Sequence, residues 1–181
     1  ELFCEVYDQS TEDNLMISPL SVSYALGMTY NGAAGTTLDA FRDVLHFDDL
    51  TNQEVNESYK DLMGQLVTLD DQVEFSIANS IWYRLGYNIL EEFISTNREY
   101  FDAAVEELDF SDPGAVDIIN DWIEDKTNDK IRDMLDYIPS DAVMVHAVQT
   151  HSAPSVGHFM LDPDFPLETT AETEYLRGAE T

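Results

Sequence analysis

The chain has 181 residues, with 8 Lys and Arg against 37 Asp and Glu and a formal net charge of −29. That balance excludes the basic face that nucleic acid or an anionic membrane would require, while 44% hydrophobic and 11% aromatic residues exclude wholesale disorder. A single cysteine, Cys4, excludes an internal disulfide framework and a cysteine-rich zinc site, and is read as a small, partly buried apolar residue.

The first residues read as a helix already under way, with Leu2, Phe3, Val6 and Tyr7 on one face and no export signal visible before them. Two stretches carry no Asp, Glu, Lys or Arg, Asn14–Leu38 and Ala142–Leu161. Neither reads as a membrane span, because serines, asparagines, histidines and prolines interrupt both. Ser18-Pro19 is a helix start: the hydroxyl can accept from an orphan N–H, and proline at the first helical position loses nothing. The run to Tyr30 is apolar on almost every side, which places this helix in the middle of a protein. Asn31-Gly32 stops it. Gly35, then Thr36 with Asp39 three residues on, suggests a capping box before a short helix with Leu38, Phe41, Val44 and Leu45 on its stripe. Val55, Tyr59, Leu62, Met63 and Leu66 predict a third helix.

The period then changes. Val73 to Tyr83 alternates over eleven residues, predicting a long strand buried on at least one face. Leu90, Phe93, Ile94, Asn97 and Phe101 return to helical spacing, and Ala104 to Phe110 alternates again. Asp112-Pro113-Gly114 opens a helix with Val116, Ile119, Ile123, Thr127 and Ile131 on one face. Pro139-Ser140-Asp141 is a turn, and Ala142–Val145 begins a strand. The coarse class is mixed α and β, with no repeat and no low-complexity tract.

Nucleophile-elbow, phosphate-loop, zinc-protease and EF-hand patterns do not occur. Gly27, Gly32 and Gly35 are followed by no lysine, so helix packing and capping explain them better than a phosphate cradle. His146, His151 and His158 match no recurrent zinc spacing, and no cofactor or metal is expected. Asn56-Glu57-Ser58 is a glycosylation triplet of the kind that arises by chance. A carboxylate-pair hydrolase would need acids converging in a cleft, and the acids here are spread along the chain. One acidic pattern stands out. Asp117, Asp121, Asp125, Asp129 and Asp133 recur every four residues and would form one like-charged helical ridge. Together with only three lysines, the ridge suggests adaptation to high salt, where screening removes its repulsion.

Asn14, Ser18, Pro19 and Ser21 stand in the spacing N-x-x-x-S-P-x-S, followed by Ala25-Leu26-Gly27-Met28 and by Gly32-Ala33-Ala34-Gly35-Thr36-Thr37. This gap-free run resembles the serpins. Ala78-Asn79 with Ile81-Trp82, Phe93 with Tyr100-Phe101, Asp109-Phe110, and Ile119-Asn120-Asp121-Trp122 with Thr127 and Lys130-Ile131 follow in the family's order. Asn128-Asp129 replaces a usual glycine, which asparagine tolerates better than most residues. The resemblance covers about residues 1–145, read as the N-terminal part of a serpin domain. Residues 146–181 read as a divergent or frameshifted tail, expected to be poorly ordered.

The resemblance implies an α+β fold in which N-terminal helices pack on part of a large mixed sheet, here incomplete. It implies a serine protease inhibitor rather than an enzyme, acting by suicide-substrate trapping: a cleaved reactive loop inserts into the sheet. It places Asn14, Ser18, Pro19 and Ser21 beneath the sheet, where small polar groups control its opening. Gly32, Gly35, Asn79, Trp122, Thr127 and Lys130 are the further positions it marks as structural. The 181 residues contain no stretch resembling the reactive loop, so this chain alone is expected not to inhibit. The implied partners are serine proteases, with cysteine proteases the second class. An extracellular location follows the family's tendency, with a cytoplasmic one as the alternative. The competing reading is a non-inhibitory serpin-like binding or structural module of a salt-adapted organism.

Overall fold

The computed structural model describes residues 2–10, 17–47, 49–70, 73–154 and 173–177. In chain order the elements are α1 (Leu2–Gln9), α2 (Pro19–Tyr30), α3 (Gly35–Leu45), α4 (Asn52–Val67), β1 (Val73–Arg84), α5 (Glu91–Phe101), β2 (Ala104–Leu108), α6 (Ala115–Lys126), β3 (Ala142–Pro154) and β4 (Thr173–Arg177). One mixed sheet runs in the order β2-β1-β3-β4. β1 is parallel to β2, with α5 in the crossover, and antiparallel to β3 from Val73↔Pro154 to Tyr83↔Met144. This is the α+β arrangement of helices on a partial sheet that the sequence leads one to expect.

Alternation along β1 and β3 puts two different cores on the two faces of the sheet. Ile81 and Val148 join Tyr24, Ala25, Met28 and Tyr30 of α2, Val55 and Tyr59 of α4, and Phe93, Ile94 and Phe101 of α5. Trp82, Val145 and Ala147 point the other way and pack with Ile119 and Ile123 of α6 and with Leu135. Each large side chain fully buried here is worth roughly 1.5–3 kcal/mol of transfer from water. Tyr24, Tyr59 and Phe101 pack edge-on or tilted at centroid distances of 5.0–6.0 Å. The Tyr24 hydroxyl donates to the Tyr59 carbonyl at 3.0 Å, and burial beside Tyr59 pushes its pKa up to about 12. Gly27 is required where α2 meets this cluster: a Cβ would stand 2.7 Å from the Tyr59 ring.

Several local expectations change. The capping box is not at Thr36 and Asp39. α3 begins two residues earlier, at Gly35 with φ +56, and its N-cap Ala34 has no polar side chain to offer. The box sits instead at Thr51 and Glu54, which exchange backbone and side-chain hydrogen bonds. Those bonds, first from the Thr51 N–H and then from its hydroxyl, hold the Glu54 carboxyl below its usual pKa. Val44 faces solvent rather than the core, at 71% exposure. The second long alternation stops as a strand at Leu108.

The aspartate ridge is shorter than its period suggests. α6 ends at Lys126, and Asn128, Asp129 and Asp133 all take left-handed φ values between 49° and 61°. Only Asp117, Asp121 and Asp125 therefore lie on the helix. What stops it is Thr127, whose hydroxyl donates to the Ile123 carbonyl at 2.8 Å and accepts from the Ile131 N–H at 3.1 Å. Beyond it, Asn120 clamps the chain: its amide donates to the Leu135 carbonyl and accepts from the Leu135 N–H, both at 2.8 Å. The boundary expected after residue 145 falls inside β3, and residues 155–172 and 178–181 of the expected tail lie outside the described residues.

Asn120→Ala leaves two backbone groups of Leu135 without partners and is expected to lower the unfolding free energy by about 2–3 kcal/mol in urea titrations. Asn120→Asp, which keeps the acceptor for the Leu135 N–H, should recover part of that loss.

Candidate functional site

The marked residues fall into groups on the two faces of the sheet. At the start of α2, Ser18 is an extended N-cap (φ −110, ψ 94) ahead of Pro19. The Ser21 N–H and the Ser21 hydroxyl both donate to Ser18 Oγ, at 3.2 and 2.9 Å. Ser21 is buried, and α2 packs against β3. The spacing S-P-x-S thus builds a paired-hydroxyl cap beneath the sheet. Asn14 lies outside the described residues.

On the same face, Asn79 of β1 donates to the Phe101 carbonyl at 2.7 Å, tying the strand to the end of α5. Its Oδ1 is buried with no hydrogen-bond partner among the described residues. At the far end of α2, a Cβ on Gly32 would stand 3.1 Å from the Phe93 ring. Gly35, with its left-handed φ, turns the chain into α3.

Trp122, Thr127 and Lys130 belong to the opposite face. The Trp122 ring meets Trp82 edge-on at 6.4 Å. Trp82 Nε1 donates to Ser80 Oγ at 3.0 Å, and the Ser80 hydroxyl donates to the Ala147 carbonyl at 3.4 Å. Lys130 is exposed, and its backbone N–H bonds to the Thr127 carbonyl. The marked positions among the described residues therefore form no single pocket. They hold the ends of α2 and α6 against the two faces of the sheet.

The sequence reading weighed His146 only as a metal candidate. His146 follows Met144 by two positions on β3, faces the α2 side and is 1% exposed. Its Nε2 lies 2.9 Å from Met144 Sδ. Burial pulls its pKa down to about 4, so the ring is neutral at pH 7. Among the described residues no group of three His, Cys, Asp or Glu side chains comes together. The side chains of His151 and His158 lie outside the described residues. The glycosylation triplet fails too, since Asn56 is 4% exposed and its amide donates to Asn31 Oδ1. Every Asp and Glu whose side chain is described is exposed, except the half-buried Glu124, so no converging carboxylates support a hydrolase. No helix among the described residues is long and apolar enough to cross a membrane.

Below its ordinary pKa, His146 gains a proton in the unfolded chain but not in the folded one. Stability is therefore complete above about pH 6.5 and falls as pH drops toward 4, by on the order of 3 kcal/mol. His146→Gln should remove that component. The difference between wild-type and variant unfolding free energies, measured by urea titration across this window, is expected to slope. A difference independent of pH would contradict the assignment.

Compared with known proteins, residues 1–150 match the family model described as Serpin (serine protease inhibitor). Neuroserpin of Gallus gallus is 38% identical over 140 residues, covering 75% of this chain and 34% of that protein. The chain spans about a third of the length of the curated relatives it matches. Two solved structures share the fold. Ovalbumin from emu, Dromaius novaehollandiae, has a TM-score of 0.77 and 23% identity, covering 96% of this chain and 51% of that one. Human thyroxine-binding globulin with its reactive loop cleaved has a TM-score of 0.75 and 22% identity, covering 84% and 46%.

Proposed function

The chain belongs to the serpin family, a family described as serine protease inhibitors and not as enzymes, and from that premise we propose that these 181 residues supply the receiving half of a protease-trapping scaffold. In this reading a protease cleaves a bait loop, and the loop enters the sheet as an additional strand while still joined to the protease. The observation that carries the proposal is the far edge of β3. Bonded to β1 on one side, β3 accepts an antiparallel strand, β4, on the other, from Ala142↔Arg177 to Ala147↔Thr173. An edge able to take one strand from this chain is chemically able to take another.

The roles of the marked residues follow. Ser18, Pro19 and Ser21 anchor α2 beneath the sheet, and Asn79 links β1 to α5, so changes there shift the ease with which the sheet opens. Thr127, with the clamp beyond it, fixes α6 across the other face, and Trp122 packs it onto Trp82. Gly32 and Gly35 let the chain turn from α2 into α3, and Lys130 follows the end of α6. Serine proteases are the proposed targets, with cysteine proteases second. An extracellular location is part of the same proposal. The alternative, a binding module that traps nothing, is favoured by the likeness to thyroxine-binding globulin, whose name records a ligand rather than a protease.

The 181 residues contain no stretch resembling a bait loop, so the chain alone is expected to give no denaturant-resistant complex with trypsin-like or chymotrypsin-like serine proteases on a gel. A covalent band would overturn the division of labour proposed here.

Salt adaptation is a separate part of the proposal. It rests on exposed acids, including Asp117, Asp121 and Asp125 at four-residue spacing on α6. Like charges at that spacing cost a few tenths of a kcal/mol per pair, and the Debye length shrinks from about 10 Å at 0.1 M salt to about 3 Å at 1 M. The melting temperature should therefore climb across that range of sodium chloride, and a flat response would remove the idea.

A further inference from the structure

Asn31-Gly32 is the one Asn-Gly pair in the chain. Asparagine is a chemically labile residue, and most so before glycine. With no Cβ on the following residue, nothing screens its backbone nitrogen from the side-chain carbonyl carbon. That nitrogen, once hydroxide has taken its proton, attacks Asn31 Cγ. A C–N bond closes a five-membered imide, the Cγ–Nδ2 bond breaks, and ammonia leaves with a proton from water. Water then opens the ring at either carbonyl and leaves aspartate or isoaspartate at position 31.

The fold gives this pair access to water but denies it the geometry. Asn31 is half-buried, and it and Gly32 both line a cleft of about 440 Å³ walled by Ile89, Phe93 and Met144. As the C-cap of α2, Asn31 keeps a helical backbone, with φ −64 and ψ −18. The Gly32 N–H donates to the Thr29 carbonyl at 2.9 Å, and the Ala33 N–H to the Tyr30 carbonyl at 3.0 Å. The attacking nitrogen is thus engaged and turned back along α2.

The side chain is held as well. Asn31 Nδ2 donates to Asn97 Oδ1 at 3.2 Å, and Asn31 Oδ1 accepts from Asn56 Nδ2 at 2.9 Å. This relay ties the end of α2 to α5 and α4. Asn97 Nδ2 donates to the Phe93 carbonyl at 3.1 Å, and a carbonyl can only accept, so Asn97 must present an oxygen to position 31. Deamidation exchanges the donor there for a second oxygen. A carboxylate still accepts from Asn56, but it sets oxygen against oxygen at Asn97, a buried acceptor that then has lost its donor.

We propose that Asn31 is a self-deamidation site held in check by this relay: opening of the α2 end lets the Gly32 nitrogen close on Asn31, and the product cannot restore the tie to α5.

The test incubates the 181-residue chain in mildly alkaline buffer and quantifies aspartate and isoaspartate at each asparagine by mass spectrometry of its peptides. In the urea-unfolded chain Asn31 should convert faster than any other asparagine, and at least about tenfold faster than in the native chain. The rate at Asn31 should already rise with urea below the global transition, because only the α2 end has to open. Asn97→Ala removes one hydrogen bond to Asn31 and should speed native conversion by about fivefold. Where that variant does not fold, the urea series on the wild-type chain decides. Asn31→Asp, which writes the product into the gene, should unfold at lower urea than the wild type. The proposal is overturned by equal native and unfolded rates, by a rate that follows only global unfolding, or by no conversion at Asn31 in the unfolded chain. A folded Asn97→Ala variant with the wild-type rate, or Asn31→Asp with wild-type stability, would overturn it equally.

Discussion

Everything in this chain hangs on the antiparallel ladder between β1 and β3. It runs from Val73↔Pro154 to Tyr83↔Met144 and is covered on both faces, by α2, α4 and α5 on one side and α6 on the other. A strand with two dry faces has nowhere to put a polar side chain at little cost. Yet the middle of this ladder carries Asn79, Ser80 and His146. Their presence dictates much of the surrounding structure. Asn79 reaches the last carbonyl of α5, Ser80 links Trp82 to the backbone of β3, and His146 is neutral and set against a thioether.

The same device recurs at the helix ends. Helices need partners for their terminal carbonyls and N–H groups, and here buried side chains from other elements, or from beyond the helix, supply many of them. Thr127 closes α6 and Asn120 clamps the chain that follows. Ser18 and Ser21 close the start of α2, and Asn97 returns to a carbonyl of its own helix while receiving Asn31. Element positions are therefore set by directed hydrogen bonds as well as by apolar packing. That makes the arrangement specific, since a slip of one element would orphan several buried groups at once.

Much of this was legible. The alternation from Val73 to Tyr83 reads as a long strand, and the all-round apolar run after Ser18-Pro19 reads better as a buried helix than as a membrane span. The family resemblance extended that reading to the order of the elements. What could not be read is long-range pairing. Asn31, Asn56 and Asn97 are far apart in the chain, and nothing local marks them as one relay; Asn56 instead resembled a glycosylation site. The aspartate spacing misled for a related reason. A period of four continues on paper past Lys126, but Thr127 turns its hydroxyl back on the helix, and Asn128 and Asp129 go left-handed. Periodicity reports a helix only while the backbone remains one. The left-handed turn itself was suggested by Asn128 standing where the family usually has glycine.

The charge and the core are consequently separate systems. The buried polar groups are amides, hydroxyls and one imidazole kept neutral by burial, while the described acids stand at the surface. Ion pairing hardly connects the two: Arg132–Glu124 closes to 3.0 Å, whereas Arg98–Glu106 and Lys126–Asp125 stand at 3.9 and 4.0 Å with exposed partners. Such exposed pairs contribute little. Salt can therefore relax repulsion among the surface acids without disturbing the hydrogen bonds that register the helices on the sheet. Protonation acts from the other side, through a ring that must gain its charge in a dry interior. A fold organised in this way can tolerate an extreme net charge, because its specificity does not depend on where the surface charges sit.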